Sequence, residues 1–317
     1  MTESEYERYS TLAELAELYY LKGMQQAEIA QKMNISRSLV SRMISEAQQK
    51  GIVSISVNHF FRRSEELEKR IKKQWGVEAA VLCLPPRLNA DERKRQLGRF
   101  AADLIYDVLS AGSIAGFTFG TSLKETVESL LMKPPKNIIA VQLTGSLGAS
   151  EAAFDSHELV HKLSLSWNCS SVFLHAPLIV NSEEIRRQLY KSRSNRLNAE
   201  TCRKLDTVVV GMSSFDSRNS SALYTGGHVS AGDMSDMRKA GIIGDLGSFS
   251  LDKNGNLVEV DSLTRMMALS DTEWKNIDNR MGIAFGNNKI DIIRASLKGG
   301  WLTNFVTDES SAERILN

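Results

Sequence analysis

Cysteine is scarce in this 317-residue chain. Cys83, Cys169 and Cys202 are odd in number and far apart, which excludes a disulfide framework and points to reduced thiols in a reducing compartment. Net charge is almost absent: 39 Lys plus Arg against 38 Asp plus Glu leave +1, so nucleic-acid binding has to come from a local patch. No apolar run approaches the ~20 residues needed to span a bilayer, and the opening MTESEYERYS is too polar and acidic for a signal peptide. Cytoplasm is the expected compartment, and no membrane is expected as a partner. Internal repeats and low-complexity tracts are missing as well. What remains is a globular composition, 42% hydrophobic and 24% charged, which excludes a disordered or collagen-like chain. The length suits one large domain or two, with a core that needs no disulfide staples.

Residues 11–22, TLAELAELYYLK, set Leu12, Leu15, Ala16 and Tyr19 on one helical face. Thr11 reads as its cap, Glu14 completes a capping box and Gly23 stops it; the acidic stretch before Thr11 shows no motif. Residues 26–33 predict a second short helix with Ile29, Ala30 and Met33 inward. Asn34-Ile35-Ser36 then predicts a tight turn, Asn34 tolerating a left-handed backbone and Ser36 capping the next helix. That third helix, from about Arg37 to Lys50, buries a stripe of Leu39, Val40, Met43, Ile44 and Ala47. Its other face carries Arg37, Ser38, Ser41, Arg42 and Ser45. Small side chains let a backbone approach a DNA groove, hydroxyls bond phosphates, and guanidinium groups reach guanine edges or phosphates. The pattern is that of a helix-turn-helix, as against a three-helix bundle that binds nothing. Gly51 ends the helix, and IVSISV (52–57) alternates like the strand of a wing.

Residues 58–76 are strongly charged, with a sparse helical stripe of Leu67, Ile71 and Trp75. Two readings stand: a connecting helix against a partner subunit, or a solvated helix lying on its own C-terminal domain. From residue 77 the period changes. Short apolar strands are expected at 77–84, 113–117, 138–143, 170–177, 206–212, 281–285 and 302–306, and helices at 91–109, 122–132, 154–167, 183–203, 288–297 and 309–316. This alternation predicts an α/β domain, a mostly parallel sheet covered by helices, whose ligands sit outside the carboxyl ends of the strands. Three of those ends are rich in small and hydroxylic residues: Gly120-Thr121-Ser122, Thr144-Gly145-Ser146-Leu147-Gly148 and Ser213-Ser214. Free N–H groups at a helix start favour an anion, so together they suggest a phosphate-bearing small ligand, although each alone reads equally as a tight turn. No nucleoside-triphosphate P-loop motif is present.

The stretch YYLKGMQQAEIAQKMNISRSLVSRMISEAQQKGIVSISV resembles the DNA-binding domain of the SorC family of bacterial sugar-responsive transcriptional regulators. The likeness extends from about Thr11 to Leu316. The family's phosphate loop matches Gly116 to Leu123; further motifs match Gln142 to Ser146, Ala176-Pro177, Gly244-Asp245-Leu246, Phe285 to Lys289 and Leu297 to Glu309. Departures fall at Ser122, Ser146, Phe285 and Phe305. The resemblance implies an N-terminal winged helix-turn-helix (1–57), a connecting helix (58–76) and an effector-binding and oligomerisation domain (77–317), the last similar in fold to sugar-phosphate isomerases and glucosamine-phosphate deaminases. It implies regulation of a carbohydrate-utilisation operon through double-stranded operator DNA, a homodimer or homotetramer, a phosphorylated sugar or polyol as effector, and no cofactor. Gln26, Ser36, Arg37, Ser38, Ser41 and Arg42 are the expected DNA contacts. Gly120, Thr121 and Ser122 would hold the phosphate, with Gly145 and Ser146 beside them. Asp245 would accept hydrogen bonds from sugar hydroxyls, and Lys289 would neutralise phosphate or meet a carbonyl.

Two other chemistries are written in the chain. His157-Glu158-Leu159-Val160-His161 matches HExxH, in which two imidazoles one turn apart bind zinc. The extended form fails, with Ser164 at the glycine position and Trp167 at the third histidine; no metal is expected. The second is an isomerase or deaminase with an accessory DNA-binding module. Catalysis would need a positioned base; Asp245 is the one carboxylate assignable to the pocket, and it has no evident acid partner. No catalytic residue is expected.

Overall fold

The computed structural model describes residues 2–53, 60–215 and 222–317. They form two compact units, residues 1–59 and 60–317. In the first unit, α1 (Glu3–Ala16) continues as a π-helical turn (Glu17–Leu21), followed by α2 (Gln26–Met33) and α3 (Arg37–Gln49). Helix α1 starts eight residues ahead of the expected cap. Thr2 and Glu5 make the capping box, and the Thr11 hydroxyl instead bonds back to the Glu7 carbonyl at 2.8 Å. The rest of this unit matches the pattern: Asn34 is left-handed, at φ 53°, and Ser36 caps α3. Leu12, Leu15, Leu18, Ile29, Val40, Met43 and Ala47 are buried together. The tip of the expected wing, residues 54–57, lies outside the described residues.

In the second unit the chain runs α4 (Glu65–Trp75), β1 (Glu78–Leu82), α5 (Ala90–Val108), β2 (Ile114–Phe117), α6 (Thr121–Leu130) and β3 (Ile139–Gln142). Next come α7 (Ser156–Trp167), β4 (Ser170–Val172), α8 (Glu183–Lys191), α9 (Arg193–Cys202) and β5 (Thr207–Ser214). The short α10 (Ala222–Thr225) precedes α11 (Ala231–Lys239), β6 (Gly244–Leu246), β7 (Phe249–Leu251), α12 (Asp261–Thr264) and α13 (Asp271–Lys275). The chain closes with β8 (Asn279–Ile283), α14 (Ile290–Lys298), β9 (Asn304–Asp308) and α15 (Glu309–Leu316). The expected helix 183–203 is broken at Ser192, extended at ψ 149°, whose hydroxyl donates to the Leu189 carbonyl at 2.6 Å. Such local bonds compete with helix continuation.

The strands lie in the order β1-β9-β8-β5-β2-β3-β4, every neighbouring pair parallel. Alternation splits the core between the two faces. Val81, Val141, Val208, Val210 and Phe305 pack beneath α4, α9, α14 and α15. Ala80, Leu82, Ala140, Val209 and Val306 pack beneath α5, α6 and α7. The stripe of α4 is spent here: Leu67 and Ile71 are buried in the first of these clusters, with Trp75 against it. Unexpected from the pattern, β6 and β7 form an antiparallel hairpin on the end of β5. Gly247, at φ 62°, makes its turn, and the two strands are too short for periodicity to show.

The connections define the ligand position. From β2 the chain moves one way along the sheet, through β3 to β4; from β5 it moves the other way, through β8 to β9. The strand order therefore reverses between β2 and β5. In open parallel sheets the crevice outside the carboxyl ends at such a point is where ligands bind.

Candidate functional site

The first candidate face lies on α3. Ser36, Arg37, Ser38, Ser41, Arg42 and Ser45 are all exposed, while Val40, Met43, Ile44 and Ala47 are buried. Ser36 accepts from the Leu39 N–H at 3.2 Å, and its hydroxyl is 3.0 Å from that of Ser38. Arg37 and Arg42 make no ion pair with any described residue, whereas Arg8 on α1 is paired with Glu46. Gln26, the first residue of α2, is half-buried; Gln25 before it is exposed and completes a capping box with Glu28. The arrangement presents two unpaired cations and short hydroxyls along the first turns of one helix.

The second candidate lies at the reversal between β2 and β5. Gly120 sits at φ 139°, where only glycine is at ease, and its N–H is already used by the Phe154 carbonyl at 3.0 Å. Helix α6 begins directly after it. The first N–H groups of a helix have no intrahelical partner, so this end still attracts an anion. Thr121 is exposed and Ser122 buried. The hydroxyls of Ser122 and of Thr118 just before it have no hydrogen-bond partner among the described residues. The β6–β7 turn comes down onto this loop: a Cβ at Gly247 would stand 3.1 Å from the Thr118 side chain.

That hairpin carries Asp245. Ladder register sets Ser213, Asp245 and Ser250 side by side across β5, β6 and β7. Asp245 is 2% exposed and Ser250 1%, and Asp245 Oδ1, Ser250 Oγ and the Tyr224 hydroxyl all lack a partner among the described residues. Burial pushes the Asp245 carboxyl up to about 7, against the pull of the Tyr224 and Ser213 hydroxyls and the Lys289 ammonium. Lys289 stands in the turn between β8 and α14. Burial of its amine brings it down to about 8, opposed by the Asp245 charge. Burial and the nearby carboxylate keep the Tyr224 phenol well above its ordinary value. Burial thus draws the carboxyl of Asp245 and the amine of Lys289 towards each other, to about 7 and about 8.

Gly145 and Ser146 are committed elsewhere. A Cβ at Gly145 would lie 2.3 Å from the Pro177 carbonyl oxygen, so glycine there serves a close backbone approach. The Ser146 hydroxyl donates to Asp155 at 2.9 Å, and Asp155 in turn caps α7. The residues missed by sequence reasoning are Thr118, Tyr224 and Ser250. Gly247-Ser248 between Leu246 and Phe249 was the available hairpin signal.

His157 and His161 stack one turn apart on exposed positions of α7, 6.1 Å between ring centres, with His157 against Phe173. Glu158 pairs with Lys162 at 3.3 Å. Among the described residues no group of three or more His, Cys, Asp or Glu could hold a metal ion. Two cavities, of about 320 and 300 Å³, lie under the hairpin and beside α9. Both include Arg186 but neither includes Thr121, Ser122, Asp245 or Lys289. The Arg186 Nε donates to the Met266 carbonyl at 2.8 Å. No helix among the described residues is long and apolar enough to cross a membrane.

Residues 58–317 match the family described as "Putative sugar-binding domain" (Sugar-bind). The chain is 26% identical over 310 residues to the sorbitol operon regulator of Klebsiella pneumoniae, covering 96% of this chain and 97% of that one. It is 23% identical over 313 residues to the deoxyribonucleoside regulator of Bacillus subtilis, covering 98% of each. The crystal structure of the full-length sorbitol operon regulator SorC from Klebsiella pneumoniae superimposes with a TM-score of 0.72 at 24% identity, over 98% of this chain and 99% of that one.

Proposed function

The chain belongs to the sugar-binding domain family of SorC-type regulators, and on that footing we propose that it is a DNA-binding transcriptional regulator of a carbohydrate-utilisation operon. Its effector in this reading is a phosphorylated sugar or polyol, bound at the reversal between β2 and β5. One observation carries the assignment: guanidinium groups without ion pairs to described residues, and hydroxyls beside them, are exposed on α3 in the same chain as buried polar atoms that lack partners among the described residues at a strand-order reversal. The first set suits a polyanionic duplex; the second suits a small ligand rich in hydroxyls.

In this reading Arg37, Ser38, Ser41 and Arg42 meet base edges and phosphates, and Ser36 and Gln26 flank them. Thr121, Ser122 and the start of α6 hold the effector phosphate, with Lys289 as counter-charge and Asp245 accepting from a sugar hydroxyl. Gly145 and Ser146 shape the wall of the site through backbone packing. The protein acts as a homodimer or homotetramer on paired half-sites, because a single helix-turn-helix makes a small interface. The effector changes DNA affinity only as far as it binds two arrangements of the protein unequally.

An isomerase-like enzyme is the second reading, favoured by one observation: Asp245 and Lys289 titrate near neutrality, as a proton-transfer pair would. The exposed α3 face has no purpose in an enzyme, so regulation is preferred. Operator-binding assays at fixed salt test the assignment. Arg42→Ala weakens DNA binding and leaves effector binding intact; Ser122→Ala with Lys289→Ala does the reverse. Loss of both activities in both folded variants contradicts the reading, and turnover of a bound phosphosugar supports the enzyme.

A further inference from the structure

We infer that Tyr224 and Ser250 are specificity-determining residues: with Asp245 and Ser213 they form a surface that reads the hydroxyl-bearing, unphosphorylated end of the effector. This rests on the effector site proposed above and extends it to the end opposite the phosphate.

The argument begins with register. Ser213 pairs with Asp245, and Asp245 with Ser250, across three adjacent strands, so the three side chains project from the same face in one row. The other face of the hairpin is apolar, with Phe249 and Leu251 in the main core. On the row's own side stands Tyr224, 7% exposed, its ring edge-on to Phe215 at 5.0 Å between centres. Leu223, Met237 and Met266 belong to the same apolar cluster. Phenol, carboxylate oxygen and serine hydroxyl are thus buried together against hydrocarbon, and none makes a hydrogen bond of ordinary geometry with a described residue. Buried polar groups are nearly always paired in native proteins, and leaving them unpaired is costly. The Tyr224 phenol is near enough to Asp245 and Ser250 for both to act on its ionisation, and the group lies beside the point where strand order reverses. A ligand that supplies the missing partners accounts for them best.

The chemistry of the row defines that ligand. Asp245 as carboxylate can only accept, so the ligand presents a donor to it. The Tyr224 and Ser250 hydroxyls can donate, so the ligand also presents acceptors at the same end. Adjacent alcohol groups do both. A carboxylate or second phosphate at this end would face Asp245 charge against charge. The class is therefore a monophosphorylated sugar or polyol with neighbouring free hydroxyls at the end away from its phosphate. A site built to bond such hydroxyls rejects analogues that lack them.

Calorimetric titration of the full-length protein provides the test, with ribose 5-phosphate, fructose 6-phosphate, glucitol 6-phosphate and inorganic phosphate as probes. The wild type is expected to bind at least one of the phosphosugars. Tyr224→Phe, which keeps the ring against Phe215, and Ser250→Ala are each expected to weaken that phosphosugar about tenfold while leaving inorganic phosphate unchanged. In Tyr224→Phe the low-pH limb of phosphosugar binding also moves to higher pH, because the Asp245 carboxylate loses a hydroxyl that favours it. Wild-type phosphosugar affinity in both folded variants overturns the inference and leaves the site reading standing. Equal loss of phosphosugar and inorganic phosphate shows a merely structural role and also overturns it. Failure of the wild type to bind any phosphosugar overturns the site reading itself, and the inference with it.

Discussion

The two units carry their working polar groups in opposite settings. On α3 the guanidinium and hydroxyl groups stand in solvent, Arg37 and Arg42 without ion pairs to described residues, over a buried apolar stripe. At the reversal between β2 and β5 the polar atoms of Thr118, Ser122, Asp245, Tyr224 and Ser250 are buried without hydrogen-bond partners among the described residues. Exposed groups cost the fold almost nothing and can be exchanged freely. Buried partnerless groups cost stability until a ligand satisfies them. On the proposed reading a duplex meets a surface that is always ready, and a metabolite meets an interior that gains from its arrival.

The largest expected effect lies on the exposed side. Arg37→Ala combined with Arg42→Ala should cut operator affinity by on the order of 100-fold or more, since each good base contact is worth ~1–3 kcal/mol. Thermal stability should stay within ~0.5 kcal/mol, as for most surface changes. Fluorescence anisotropy and a melting curve measure both, and a large drop in stability would erase the contrast between the units.

The buried side should behave inversely. Asp245→Asn removes a carboxyl raised by burial from its ordinary value to about 7, so it should abolish effector binding yet stabilise the protein. The cost of a raised carboxyl is absent below about pH 4, grows as the unfolded chain ionises first, and is complete above about pH 7. The gain should therefore be small at pH 4 and reach about 4 kcal/mol near pH 8. Denaturant melts across that range check it; a stability difference independent of pH would contradict the assignment.

Effector affinity itself should be bell-shaped in pH. It rises as Asp245 ionises near about 7 and falls as Lys289 loses its proton near about 8. Methyl phosphate, titrated in parallel, shares the monoester ionisation and the Lys289 limb but not that of Asp245, so the ratio of the two affinities isolates the carboxyl. A flat ratio would separate Asp245 from the effector. The smallest effect is at the cap of the recognition helix: Ser36→Ala should cost about 1 kcal/mol, read as a lower melting temperature with a modest loss of operator affinity.

Legibility in the chain divides along the same line. The α3 face is local, written in one stretch of helix periodicity and one cap, so its residues could be named directly. The parallel strands were legible because runs such as Thr207–Met212 are buried on both faces. The first turns of α1 were not: Tyr6 is 62% exposed, no apolar period reaches that far, and only the Thr2–Glu5 capping box marks the true start. Ser192 hid inside an apparently continuous helix because its own hydroxyl bond makes the break. At the proposed effector site, Asp245 and Lys289 emerged through family resemblance, while Tyr224 and Ser250 went unseen. Their meeting with Asp245 is created by hairpin register and by packing onto Phe215, neither of which leaves a periodic trace. Ser146 was placed among the effector contacts because its loop looks like a phosphate loop, but its hydroxyl is held by Asp155.

Coupling between the two settings is tested most directly by operator affinity measured with and without saturating phosphosugar at one salt concentration, in the wild type and in Ser122→Ala with Lys289→Ala. Allosteric coupling is typically ~5–150-fold, so the wild type should shift by at least fivefold while the double variant keeps its operator affinity and does not respond. An operator affinity unmoved by every phosphosugar that binds the wild type would contradict a regulator whose buried site governs its exposed one.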